Sequence, residues 1–179
     1  DVSLVFIEPT GARLAKKAVL RLDGIWFKKS EFHTKNVGIK SFYDKADAVV
    51  FQSQFDQSFV TKWWGLPKKH SIIRNGIKKD KISKFTSPAL EQIRSSYKKV
   101  FVCSANWHPQ KRLFDNVELF KHIRATVEPS SCLIVLGNNP DHVVADKDVF
   151  YAGSLSERLC LEVYSMSDWM ICLEYLSHC

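Results

Sequence analysis

Glycine and proline are scarce in this chain, at 7 and 6 of 179 residues, and neither clusters. That scarcity, with no internal repeat and no low-complexity tract, sets aside fibrous and disordered chains and leaves an ordinary globular protein. No apolar run comes near the roughly 20 residues that cross a bilayer, so any membrane role is expected to be peripheral. The first residues also lack the charged and then apolar layout of a secretory signal. Cysteine occurs five times, an odd count without paired spacing, which argues against a secreted disulfide scaffold. Cys103, Cys132 and Cys172 fall in predicted strands, where a reduced thiol behaves as a small core hydrophobe. The grouping of Cys172, His178 and Cys179 is too irregular for zinc, and no metal site is expected.

Acidic residues are short in one half only. Residues 1–99 hold 20 Lys and Arg against 9 Asp and Glu, net +11, whereas residues 100–179 hold 6 against 10, net −4. The clusters Lys68-Lys69, Lys78-Lys79-Lys81 and Lys98-Lys99 are either a solvated face or a surface for nucleic acid, anionic lipid or a charged substrate.

The hydrophobic share, 45% against 25% charged, is enough for a sizeable core, and its periodicity sets the fold class. Short apolar runs predict strands at Val2 to Ile7, Val19 to Leu22, Ala48 to Phe51, Ser71 to Ile73, Val100 to Ser104, Cys132 to Leu136, Val149 to Tyr151 and Trp169 to Leu173. Between them, helical spacing relates Ile39, Phe42, Tyr43 and Ala46; Phe55, Phe59 and Trp63; Leu113, Val117, Phe120 and Ile123; and Leu159, Val163 and Met166. Alternation of this kind predicts an α/β chain with parallel sheets covered by helices. Between Asn75 and Lys99 the pattern loosens into a lysine-rich stretch with Ser87-Pro88 and one modest helical segment, Ala89 to Tyr97, where the charge changes sign. The expected organisation is therefore a first domain over 1–80, a linker over 81–97 and a second domain over 98–179.

In open α/β sheets, ligands gather beyond the carboxyl ends of the strands, where helix N-termini and basic side chains hold anions. After Val100, the run FVCSANWHPQKR takes a buried-looking strand into a polar loop that ends in Lys111 and Arg112 before an amphipathic helix. The pair suggests a phosphate-bearing ligand or, equally, a solvated helix start. Gly137-Asn138-Asn139-Pro140 and Gly153-Ser154 follow the next two strands, and small residues there admit the backbone to a base or ribose. Each loop alone reads as a turn; three on successive strand ends make a crevice. Arg21-Leu22-Asp23-Gly24 closes the second strand, so Asp23 is either a carboxylate that meets a substrate hydroxyl or part of an Asp-Gly turn. Asp146-Lys147-Asp148 has the spacing of an acidic metal motif but precedes a strand, and reads as a solvated loop.

The stretch Ala46 to Ile77, ADAVVFQSQFDQSFVTKWWGLPKKHSIIRNGI, resembles the end of the N-terminal domain in family 4 glycosyltransferases of the GT-B fold. There a strand and helix of the form "aDavi-QS-f" precede a "vi-NGv" strand and turn. FVCSANWHPQKR is similar to that family's first C-terminal-domain strand and donor-phosphate loop, and VLRLDGIW, Val19 to Trp26, to the strand that ends in its acceptor cleft. Leu133 to Gly137, Phe150 to Leu155 and EVYSMSDWMICL, Glu162 to Leu173, follow the family's order.

The resemblance implies a partial GT-B architecture, two Rossmann-like sheets, both incomplete, corresponding to the middle of the family's fold. The glycine-rich loop and paired glutamates of the family are not matched, so the chain alone is expected to be inactive. It implies a retaining, metal-independent transferase that moves a sugar from a nucleotide diphosphate donor to a carbohydrate or lipid-linked acceptor. No cofactor is implied beyond that donor substrate, and no nucleic-acid partner. Asn106 stands where relatives carry an Arg, leaving Lys111, with Arg112, to neutralise the diphosphate; Gly137, Asn138, Gly153 and Ser154 complete the donor loops. Asp23 replaces a cleft His. The setting implied is cytoplasmic, with the basic N-terminal half free to touch the inner face of a membrane. Alternatives are an epimerase or phosphorylase of the same fold, or a non-catalytic basic module that binds nucleic acid or anionic membrane.

Overall fold

The computed structural model describes residues 1–7, 15–76, 87–138 and 146–174. The chain divides after Gly76 into two compact units, each built on a four-stranded sheet with every strand pair parallel.

In the first unit, β1 (Val2–Phe6), β2 (Lys17–Leu22), β3 (Ala48–Phe51) and β4 (His70–Ile72) lie side by side in chain order. Leu20, Leu22, Val49 and Phe51 are fully buried at the centre of that sheet, as expected of parallel strands covered by helices. The helices are α1 (Lys29–Lys35), α2 (Val37–Lys45) and α3 (Gln54–Trp64). Helix α2 buries Ile39, Phe42 and Tyr43, the stripe its spacing predicts. Helix α3 starts where the Ser53 hydroxyl accepts from the Asp56 amide at 3.0 Å, and stops at Gly65, whose φ of +80° suits glycine.

The second unit contains α4 (Pro88–Ser96), β5 (Lys99–Ser104), α5 (Leu113–Thr126), β6 (Ser131–Leu136), β7 (Val149–Gly153), α6 (Glu157–Met166) and β8 (Trp169–Met170). The sheet order is β7-β6-β5-β8. All six residues of β6 are buried: one face meets Phe101, Trp107, Val117 and Phe120, the other Val163 and Met166. Burial pushes the thiols of Cys103 and Cys132 up to about 12, with smaller contributions from Cys172 and Asp148 respectively, so both remain neutral core groups.

The helical segment expected over Ala89 to Tyr97 is α4, whose Leu90 and Ile93 pack with Tyr97 on the second core; residues 81–86 lie outside the described residues. Two expectations are corrected. The strand over Trp169–Leu173 shortens to two residues, because the side chain of Asn116 takes the Leu173 amide at 2.9 Å and draws the chain off the ladder. Cys172 is consequently exposed, and the Cys172, His178, Cys179 grouping reaches outside the described residues. Asp146-Lys147-Asp148 is not a solvated loop, since Asp148 is buried. It pairs with Arg124 at 2.7 Å and accepts from the Tyr97 hydroxyl at 3.1 Å, tying α5 and the end of α4 to the start of β7.

Candidate functional site

The sequence-predicted residues lie at the carboxyl ends of strands, in two places described separately. In the second unit the loops after β7, β6, β5 and β8 stand in that order along one sheet edge. They carry Ser154, directly after Gly153 at the end of β7, then Gly137 and Asn138, then Asn106 to Arg112, and last Cys172 to Glu174. Trp107 fastens the first of these contacts. Its indole N–H donates to the Leu136 carbonyl at 2.8 Å, and its amide donates to Asn138 Oδ1 at 2.6 Å. The Gly137 amide donates to the Gly153 carbonyl at 2.9 Å, so neighbouring loops are joined in series.

Lys111 ends a short 3-10 turn, Pro109–Lys111, and Arg112 follows in a left-handed conformation, φ 52° and ψ 48°, at the start of α5. Asn116, buried within α5, explains how that bend is held. Its Nδ2 donates to the carbonyls of Arg112 at 2.7 Å and Lys111 at 3.1 Å, while its Oδ1 takes the Leu173 amide. Both cations hold carboxylates: Lys111 Nζ lies 2.8 Å from Glu174 Oε1, and Arg112 Nε lies 2.8 Å from Asp115 Oδ2. Sequence reasoning missed Trp107, Asn116 and Glu174 as parts of this edge. Only Asn116 carried a signal, as a polar residue on the buried face of a helix. Asn106 and Ser154 are exposed in their loops, open to whatever enters. Among the described residues, no group of three or more His, Cys, Asp or Glu is placed to hold a metal.

In the first unit Asp23 follows β2, and the next residue, Gly24, has φ +116°, a conformation that suits glycine. Asp23 Oδ1 lies 3.6 Å from Arg21 Nη1, is shut off from solvent and accepts no hydrogen bond. A polar chain runs along the sheet edge from there. Arg21 donates to Asn75 Oδ1, Asn75 Nδ2 donates to Gln52 Oε1 at 2.7 Å, and the Gln52 amide donates to Asp56 Oδ2 at 3.4 Å. The residues involved end β2, β3 and β4, which is why they meet.

Asp56 is the perturbed group of that edge. Burial pushes its carboxyl up to about 6, the Gln52 amide opposes this, and the nearby Asp23 adds to it. A carboxyl raised in the fold binds its proton more tightly there than in the unfolded chain, so stability falls as pH rises from about 4 to about 6. Asp56→Asn keeps an acceptor for Gln52 and removes the charge. Urea unfolding midpoints of the variant are expected to lose the decline that the parent shows across that window. An unchanged decline would place the raised acid elsewhere.

By sequence, the chain matches no protein-family profile and no curated protein. Solved structures do match. HepE of Anabaena in complex with UDP-glucose superposes with a TM-score of 0.67 at 15% identity, over 88% of this chain and 47% of that one. Sucrose-phosphate synthase of Thermosynechococcus elongatus gives 0.67 at 13%, over 91% and 46%. The α,α-trehalose 6-phosphate synthase of Burkholderia multivorans gives 0.66 at 13%, over 90% and 46%. The chain spans a little under half the length of these structures. The architecture is that of a partial GT-B fold, α/β with two parallel sheets flanked by helices.

Proposed function

We propose that this chain is part of a family 4 glycosyltransferase, retaining and metal-independent, whose donor is a nucleotide diphosphate sugar and whose acceptor is a carbohydrate or a lipid-linked saccharide. The observation that carries the reading is the second unit's edge. Glycine-backed loops follow β6 and β7, and the Lys111-Arg112 pair stands beside them at the N-terminal end of a 14-residue helix. The GT-B neighbours include one solved with UDP-glucose.

In such a transfer the bond between the sugar carbon and the diphosphate oxygen breaks. The sugar carbon bonds to the acceptor oxygen, and the acceptor's proton leaves. Negative charge grows on the departing diphosphate, where Lys111, Arg112 and the amides of the helix start stabilise it without a divalent ion. The loops bearing Asn106, Gly137, Asn138, Gly153 and Ser154 would receive the nucleoside. In the first unit, Asp23 is the candidate to orient the acceptor hydroxyl. A cytoplasmic setting belongs to the same reading.

For a diphosphate to reach Lys111 it must displace Glu174. Replacing Lys111 with Ala is therefore expected to weaken a nucleoside diphosphate by roughly ten- to a hundredfold, the value of a hydrogen bond to a charged group, with the bare nucleoside little affected. Glu174→Gln is expected to tighten the diphosphate, and a chelator to change neither. Calorimetry against UDP, GDP, ADP and their nucleosides checks all three. Equal weakening of nucleoside and diphosphate in the Lys111 variant would reduce that residue to a structural role.

A further inference from the structure

The first unit exposes aromatic side chains next to lysines, and the nucleotide-sugar reading uses none of them. Phe55, Phe59 and Trp63 recur every fourth residue along α3 and so share one stripe of that helix. Phe55 stacks on Phe59 at 5.9 Å, Phe59 meets the edge of Phe27 at 6.5 Å, and Trp63 meets Phe32 of α1 at 5.2 Å. The stripe is only half covered, with Phe55 48% exposed and Trp63 56%, and nearby in the chain Trp26 is 44% and Leu66 60% exposed. The neighbouring side of α3 sends Asp56 and Val60 into the core and Phe59 packs partly against it, which leaves Phe55 and Trp63 as the exposed ends of the stripe.

Charge decides what this face fits. Residues 26–37 and 54–69 contain six lysines, Lys28, Lys29, Lys35, Lys62, Lys68 and Lys69, and two acids. All six lysines are exposed. Of the acids, Asp56 is buried and Glu31 is paired with Lys35 at 2.8 Å. The Lys35 ammonium itself lies 4.0 Å over the Trp26 ring. Half-exposed Trp and Phe in segments rich in exposed lysines is the composition of a surface that sits at a lipid headgroup boundary, with rings in the acyl margin and ammonium groups among anionic headgroups. A nucleic acid would need free ring faces on which to stack bases, whereas Phe55 and Phe59 already use theirs on each other.

We propose that the stripe of α3 that carries Phe55 and Trp63, with the exposed lysines of these segments, docks the protein on an anionic membrane. The proposal stands on the first unit alone and does not depend on nucleotide binding. The test is co-sedimentation of the full chain with phosphatidylcholine vesicles, with and without phosphatidylglycerol. Binding is expected only when the anionic lipid is present, and is expected to weaken as salt rises. Trp63→Ala should lower vesicle affinity roughly five- to tenfold, the effect of withdrawing a half-exposed ring from an apolar phase. Lys29→Glu and Lys62→Glu, both on exposed positions that leave the core untouched, should each lower it at least fivefold. Circular dichroism of each variant establishes that it is folded. Equal binding to both vesicle types, or no loss in any of the three variants, would overturn the proposal. So would self-association abolished by Trp63→Ala without vesicle binding, or oligonucleotide binding abolished by the lysine variants without vesicle binding.

Discussion

Gly137→Ala is expected to be the most damaging small substitution in the second unit, costing roughly 3–5 kcal/mol from backbone strain and overpacking together. The residue stands directly after β6 with φ +113°. A Cβ there would lie 1.8 Å from the Ala105 carbonyl oxygen, 2.9 Å from its carbon and 3.2 Å from the Trp107 indole nitrogen. Two of those atoms are backbone, so no rotamer change relieves the clash. The Ala105 loop would have to move, and with it the bonds from Trp107 to Leu136 and Asn138. Gly76→Ala, with nothing within 4 Å of its Cβ position, is the control and is expected to be near neutral. Urea unfolding measures both, and amide exchange at Ala105 and Gly137 locates the loss. A Gly137→Ala variant as stable as the parent would mean that the β5 and β6 loops are not held as closely as their geometry shows.

The same residue shows what was legible in the sequence. A glycine after an apolar strand drew notice as a place where a ligand could approach backbone, but its tight neighbour is Ala105, thirty-two positions earlier, and no local pattern reports such a contact. The strands and the helices α2, α3, α5 and α6 were readable because burial on one or two faces imposes a period on their sequences. Helix α1 was not, since it buries no residue. It forms on the amides of Glu31 and Phe32 bonding to Lys28, the Glu31–Lys35 pair, and Asn36, whose side chain brackets both backbone groups of Trp26. Lys111 and Arg112 were found by their position after a strand. The carboxylate partner of Lys111 could not be, because Glu174 approaches from beyond β8 and helix periodicity predicts nothing about the reach of a side chain. Asp148 was misread for a related reason. Its place before a strand suggested a solvated loop, while Arg124 and Tyr97 arrive from two other elements.

Asp168→Asn is expected to destabilise the second unit by about 1–3 kcal/mol at neutral pH, the usual loss when a charged acceptor with several donors is removed. Its carboxylate joins three parts of the fold. Oδ2 accepts from Arg94 of α4 at 2.7 Å and from the Val100 amide at 2.9 Å, and Oδ1 accepts from Lys99 Nζ at 3.0 Å. The Asp168 amide closes the ring by donating to the Val100 carbonyl at 2.8 Å. Asn supplies one acceptor and turns an NH2 group toward donors. Burial pulls the Asp168 carboxyl up, but the Val100 amide, Lys99 and Arg94 outweigh it and hold the group below its ordinary value. A carboxyl lowered in the fold stabilises above the unfolded-state value, about 4, and loses that stabilisation as pH falls through its folded value. The gap between parent and variant should therefore be full at pH near 7 and shrink on acidification below about 4. Urea midpoints taken across that range measure it. A gap that stayed constant into acid would assign the loss to packing or hydrogen-bond geometry rather than to the carboxylate's charge.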